Sequence, residues 1–329
     1  MSSTPIVKFL IIRFSSIGDI VLTTPVVRCL KQQVEGVEIH YLIKKRFSTL
    51  VKNNPYIDKV HEFEGELSKT ISNLKKENYH YIIDLHRSLR SKIVKSRLKV
   101  LSFSFNKLNF HKWLIVNFKI NILPNIHIVD RYLKTVSIFD VNNDNKGLDY
   151  FIPEEDEVKL QSLPIKIENK YIAFSISANH NTKQLPADKI ISICEKLPFP
   201  VVLLGGEDNN ELGSIIQKSV GQNVYNACGK YNLNQSASLI KQSDMVITHD
   251  TGLMHIAAAL KKKIISVWGN TIPEFGMQPY LPGDDSKIVE VNNLKCRPCS
   301  KIGHNRCPKK HFKCMKEINE KTILDLIMN

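Results

Sequence analysis

The chain has 329 residues, 43% hydrophobic and 24% charged, which suits one or two compact domains, better two, and excludes a disordered polymer. Its formal charge of +14 and pI near 9.3 ask for an anionic partner: nucleic acid, phosphorylated glycolipid, membrane surface or nucleotide. Lys8, Arg13 and Lys119 interrupt the apolar runs before any reaches the roughly 18–20 residues of a spanning helix, and the opening MSSTPIVKFLIIRFSS lacks a secretory cleavage site, so a cytoplasmic location is expected.

In chain order, residues 9–14 read as a buried strand. The turn Ser15-Ser16-Ile17-Gly18-Asp19 follows, then a helix over 20–33. Residues 37–43 and 79–85 read as further strands, so strand and helix alternate as in a parallel sheet covered on both faces. Residues 152–164 are polar and carry proline, a linker with a helical turn. A second cycle follows, with strands at 171–177, 201–204 and 245–248 and a helix over 187–197. Neither half shows a short repeat. The expected class is α/β, two doubly wound domains facing a central cleft, with residues 1–160 in the first and 161–329 in the second. The last helix is free to pack back on the first.

Residues 245–269 (MVITHDTGLMHIAAALKKKIISVWG) form the most informative segment, a βαβ unit whose turn sets Asp250, Thr251 and Gly252 at a helix N-terminus. Unpaired N–H groups and the helix dipole suit a phosphate there, and an ordinary capped turn fits the same residues. Asp19 stands in the equivalent place of the first half, where a carboxylate serves either as general base toward a sugar hydroxyl or as a cap for the helix from Ile20. Lys183, in the loop after the 171–177 strand, suits charge building on a departing diphosphate or simply a surface loop. Glu207 or Asp208, after Gly205-Gly206, suits a ribose diol. Arg87 and Arg90 follow a strand and offer guanidinium forks to an acidic sugar.

No Asp or Glu lies between residues 85 and 129, while Arg87, Arg90, Lys92, Lys95, Arg97, Lys99, Lys107, Lys112 and Lys119 do. Phe103, Phe105, Phe110, Trp113 and Phe118 interleave with them. Either a bilayer-facing cationic surface or a solvated basic face over buried aromatics results. Cys296, Cys299, Cys307 and Cys314, near His304 and His311, leave structural zinc open against a reduced loop. Cys29, Cys194 and Cys228 sit in apolar settings and read as core.

Residues 13–25 (RFSSIGDIVLTTP), 84–91 (DLHRSLRS) and 249–255 (HDTGLMH) through Trp268-Gly269 resemble glycosyltransferase family 9, the lipopolysaccharide heptosyltransferases, across both halves. The C-terminal cysteine loop looks like one seen in many members. The resemblance implies a GT-B fold, two Rossmann-like domains binding acceptor and nucleotide-sugar respectively, and inverting transfer without a catalytic metal or other cofactor. It implies Asp19 as base, Lys183 behind the leaving diphosphate, Thr251 and Gly252 at the phosphates, Asp250 on sugar hydroxyls and Glu207 at the nucleoside. His255 either bonds near the phosphates or supports the turn. Ser16 and Gly18, with Arg87 and Arg90, fall to the acceptor. The expected partners are a nucleotide-sugar donor, by family ADP-heptose, and an anionic glycolipid of the lipopolysaccharide core, met at the inner face of the cytoplasmic membrane. Nucleic acid is not expected. The competing functions are a zinc-stabilised nucleic-acid binder and a nucleotide-sugar binder that does no transfer.

Overall fold

The computed structural model describes residues 6–168 and 170–328. It divides into two units, one holding the chain up to Lys107 together with Ile126–Phe151, the other Leu108–Asn125 and the chain from Ile152 onward.

Unit 1 is built on β1 (Val7–Ile12), β2 (Val37–Lys44), β3 (Lys59–Phe63), β4 (Tyr81–Asp84) and β5 (Leu101–Ser104), all paired parallel in the order β3-β2-β1-β4-β5. Unit 2 has β6 (Ile172–Ser175), β7 (Val201–Leu204), β8 (Val224–Asn226), β9 (Met245–His249), β10 (Lys263–Trp268) and β11 (Lys287–Glu290), also parallel, in the order β11-β10-β9-β6-β7-β8. Strands buried on both faces read as continuous apolar runs, and β6, β7 and β9 are buried throughout. In each sheet the chain winds outward first one way and then the other. The reversal falls between β1 and β4, and between β9 and β6.

The single helix expected over 20–33 is two helices, Ile17–Val21 and Thr24–Gln33. Pro25 has no N–H to give the Val21 carbonyl. The Thr24 hydroxyl takes that carbonyl instead (2.8 Å), and Thr23 takes that of Ile20 (2.7 Å), which closes the first helix after five residues.

One boundary near 160 does not describe the units, because the helix Asn109–Phe118 belongs to unit 2. Its Ile115 is buried with Ile272 and Phe275, and Lys119 donates to the carbonyls of Pro298 (2.7 Å) and Cys296 (3.3 Å). Glu154–Asp156 and Leu160–Ser162 are short 3₁₀ turns, and Asp156 accepts from Asn232 and Asn234. The last helix, Glu320–Met328, left free by the sequence to return to the first domain, buries Ile323 and Ile327 in the unit 2 core. No described helix is long and apolar enough to cross a membrane.

Arg28 fastens unit 1. Although only 2% exposed, it donates to both Asp144 oxygens (2.8 Å each), to the Gly147 carbonyl (2.8 Å) and to Asp149. Arg28→Met is expected to cost about 3–5 kcal/mol, seen as a lower urea midpoint, because it strands carboxylates placed for a buried cation. The Arg28 hydrogen bond, opposed by partial burial, brings the Asp144 carboxyl from 3.8 down to about 2. Its stabilisation is therefore complete above about pH 4 and lost as pH falls toward 2, so Asp144→Asn should flatten the acid limb of stability in that window.

Candidate active site

Both clusters singled out by the sequence lie at the carboxyl ends of the strands flanking a winding reversal, where the first loops part and leave room for a ligand. In unit 1, Ile12 pairs with Leu42 on one side and Asp84 on the other, which brings Arg13 and Leu85 level. The Arg13 side chain bridges that gap. It donates to the carbonyls of Ser15 (2.7 Å) and Leu85 (2.5 Å) and to Tyr132 Oη (3.0 Å), and pairs with Asp19 Oδ1 at 2.7 Å. Burial opposes its charge, but Asp19, followed by Tyr132 and Tyr41, raises its pKa above the usual arginine value.

Asp19 does not cap a helix from Ile20. It is the third residue of the helix Ile17–Val21, whose N-cap is Ser16. The Ser16 hydroxyl donates to Asp19 Oδ2 at 2.6 Å and the Ser16 N–H at 3.3 Å, so the carboxylate is fixed on both oxygens while a quarter of the side chain stays open. Gly18 is buried within the same turn. Around it stand His86, pushed down to about 4 by burial and Arg13, and Lys107, also lowered by burial and Arg13. Asp84 is fully buried, accepts from the His86 and Arg87 N–H groups (3.0 and 2.7 Å) and pairs with Lys95 (3.0 Å). Arg87 is exposed and donates to the Phe105 carbonyl (3.1 Å). Arg90 lies over the rings of Phe63 and Phe14, 4.8 and 5.4 Å from their centroids.

In unit 2, Lys183 closes the 3₁₀ turn Asn181–Lys183 after β6, and its ammonium stands 2.5 Å from Asp250 Oδ2, beyond the end of β9. The Thr271 hydroxyl donates to the same oxygen at 2.8 Å. His249 Nε2 accepts the Leu185 N–H (3.0 Å), and burial pushes this ring down to about 4, so it is neutral. Thr251 is the N-cap of the helix Gly252–Ala259, in which His255 is buried, and its hydroxyl lies 3.4 Å from that of Thr248. The first N–H groups of a helix have no partner within it, so this turn presents donors and a positive dipole end. Glu207 begins the turn after β7, and the left-handed backbone at 229 (φ +74°) favours glycine, since a Cβ there would also crowd the Glu207 Cα at 3.0 Å.

The cysteine loop braces this constellation. Thr182 exchanges bonds with His304 (Thr182 N–H to O 3.1 Å, His304 N–H to Oγ1 2.8 Å), and Arg297 donates to the Thr271 carbonyl (2.9 Å) and Glu290 (2.7 Å). Burial pushes the Cys314 thiol up to about 12 and raises that of Cys299, which has Cys296 and Cys307 as neighbours. Cys29, Cys194 and Cys228 are buried.

Residues 67–310 match glycosyltransferase family 9 (heptosyltransferase). The chain belongs to this family. It is 27% identical to lipopolysaccharide heptosyltransferase 1 of Campylobacter coli, over 97% of this chain and 98% of that protein. Its fold matches a family 9 glycosyltransferase from Veillonella parvula (TM-score 0.79, 19% identity, 98% and 96% of the chains covered) and the E. coli ADP-heptose heptosyltransferase II (TM-score 0.76, 19% identity, 98% and 97%). The fold is GT-B, carried by the two parallel-sheet units.

For this family 9 chain the structure gathers the expected residues in two groups. Ser16, Gly18, Asp19 and Arg87 stand at the unit 1 reversal. Lys183, Asp250, Thr251, Gly252 and His255 stand at that of unit 2, with Glu207 one strand over. Arg90 is spent largely on aromatic packing. Sequence reasoning missed Arg13, Thr271 and the Asp84–Lys95 pair. Arg13 was in view as the charge ending an apolar strand; nothing local marks Thr271, which reaches Asp250 only through the β9–β10 pairing. A double-mutant cycle on Lys183→Met and Asp250→Asn is expected to return a coupling of about 0.5–3 kcal/mol in urea denaturation, and additive effects would contradict the pair.

Proposed function

We propose that this glycosyltransferase moves a heptose from ADP-heptose to a lipopolysaccharide core acceptor by direct displacement with inversion. In this reading Asp19 takes the proton from the acceptor hydroxyl as its oxygen attacks the anomeric carbon, and ADP leaves from the opposite face. Unionised alcohol is a weak nucleophile at neutral pH, so proton removal belongs in the transition state. The observation that carries the assignment is the Arg13–Asp19–Ser16 arrangement, which orients one carboxylate at the sheet reversal while leaving part of it accessible.

Lys183 is assigned to the charge developing on the departing diphosphate, with Thr251, Gly252 and the helix N-terminus behind it taking the phosphates. Asp250, steadied by Lys183 and Thr271, is assigned to sugar hydroxyls and Glu207 to the nucleoside. The buried His255 is assigned to support of the phosphate turn. Arg87, exposed beside the Asp19 cluster, is assigned to an acidic group of the acceptor, with Ser16 and Gly18 shaping the approach. A nucleic-acid binder gives these two reversals no task.

For an acceptor with a lipid tail we propose peripheral contact through the helix Asn109–Phe118. Phe110, Trp113 and Phe118 are 63%, 45% and 58% exposed yet pack on one another (6.2 and 5.1 Å between centroids), and Ile120 and Ile122 extend the apolar surface.

Asp19→Asn keeps the shape and removes the base. It is expected to lower kcat by about 10²–10⁴-fold while ADP-heptose affinity by calorimetry changes less than threefold, and wild-type turnover would remove Asp19 from the chemistry. Trp113→Ser with Phe118→Ser should reduce sedimentation with phosphatidylglycerol vesicles severalfold and leave turnover on a delipidated acceptor unchanged; undiminished sedimentation would refute the contact.

A further inference from the structure

Four polar side chains converge in unit 1 where none of the proposed chemistry occurs. They lie in the middle of β2 and β3 and in the loop entering β4, on the sheet face whose apolar part holds Leu42, Phe63, Ile71 and Leu74. His40 projects to that face two residues before Leu42, and β2–β3 pairing sets His61 opposite Leu42. His40 Nδ1 and His61 Nε2 face each other at 3.2 Å. The Glu77 carboxylate completes the group, 3.8 Å from His40 Nδ1 and 3.9 Å from His61 Nε2. Among the described residues this is the one trio of His, Cys, Asp or Glu ligand atoms that lie within 4.8 Å of one another.

We propose that His40, His61 and Glu77 form a binding site for a divalent transition metal of the zinc class. Nitrogen and oxygen ligands about 2.0–2.2 Å from a tetrahedral zinc stand about 3.3–3.6 Å apart, so the two nitrogens are close to the required spacing, and the carboxylate, which now turns a different oxygen toward each, has to swing in and present one oxygen to both. The next layer of contacts fits as well. Glu38 Oε1 lies 2.6 Å from His40 Nε2 and takes that proton, which leaves the Nδ1 lone pair aimed into the group, the carboxylate–imidazole pairing that orients ligating histidines. Tyr79 Oη, 2.8 Å from His40 Nδ1 and 3.0 Å from His61 Nε2, stands at the fourth side. Lys59 holds Glu77 Oε1 (2.6 Å) and leaves Oε2 toward His40. His61, alone of the three, also lines a cavity of about 490 Å³ bordered by Glu62, Glu64 and Glu66 together with Lys52 and Lys69.

The imidazole and carboxylate set suits zinc, nickel or copper and not magnesium. Such an ion would tie the edge strand β3 and the start of β4 to β2, a structural role apart from transfer. The same atoms also close a metal-free chain of hydrogen bonds, His61 to Tyr79 to His40 to Glu38, and the experiment separates the two.

Full-length protein stripped with a chelator is titrated with Zn²⁺ alone in a calorimeter, in a Cys296→Ser/Cys299→Ser background that removes thiolate competition. One equivalent is expected to bind, with affinity at least tenfold weaker after His61→Gln or Glu77→Gln and with a melting temperature raised by zinc only when the trio is intact. Circular dichroism checks that each variant folds. Cobalt substitution of the unaltered chain gives a second decision that needs no folded variant. A spectrum with an imidazole–carboxylate component supports the site, whereas thiolate bands alone overturn it. Zinc affinity indifferent to both substitutions, or no binding in the Cys296→Ser/Cys299→Ser background, also overturns it and leaves the hydrogen-bonded chain.

Discussion

Each unit depends on the reversal of winding in a parallel sheet. Crossovers leave the reversal point in opposite directions, so the loops after β1 and β4, and after β6 and β9, diverge and leave strand carboxyl ends uncovered. A gap of that kind contains carbonyls and helix N-termini without neighbours, and something polar must satisfy them. In unit 1 the Arg13 guanidinium does so. In unit 2 the task is divided between the Lys183–Asp250–Thr271 group and the neutral His249 ring.

The cost of burying Arg13 explains the place of Asp19. A guanidinium removed from water keeps its charge, and an anion beside it offsets a desolvation that three neutral acceptors cover only in part. The fold therefore calls for a carboxylate at position 19 beside Arg13, and sets it at the sheet reversal with part of it open. A quarter of the Asp19 side chain stays open, and Ser16 holds its second oxygen. In unit 2, Asp250 and Lys183 rest on the cysteine loop, which reaches Asp250 through Thr271 and Lys183 through Thr182. A change in that loop thus acts on the site without touching ligand.

The basic segment without acids divides between two environments. Its first part forms the helix Leu89–Leu98 in unit 1, where Lys95 neutralises the buried Asp84. Its second part crosses to unit 2, anchored by Ile115 and by Lys119 on two carbonyls, and turns its aromatic rings outward. Composition shows nine cations there; packing shows that several of them already have partners.

The alternation of strand and helix, the parallel sheets and the two polar turns were legible from the sequence, because a strand buried on both faces must be apolar throughout and a helix start must show its cap. The strands β3, β5, β8 and β11 were not, and all four are short sheet edges: β3, β5 and β11 are largely half-exposed, and β8, though buried, has only three residues, so none shows a continuous apolar run. The break at Pro25 was written locally and overridden by the helical pattern around it. What only the tertiary structure decided were the partnerships between distant residues: Arg13 with Leu85 and Tyr132, Thr271 with Asp250, His40 with His61 and Glu77, and the transfer of residues 108–125 to unit 2. Pairing register sets these, and register follows from which faces bury together, a property of the assembled sheet that no local stretch of chain contains.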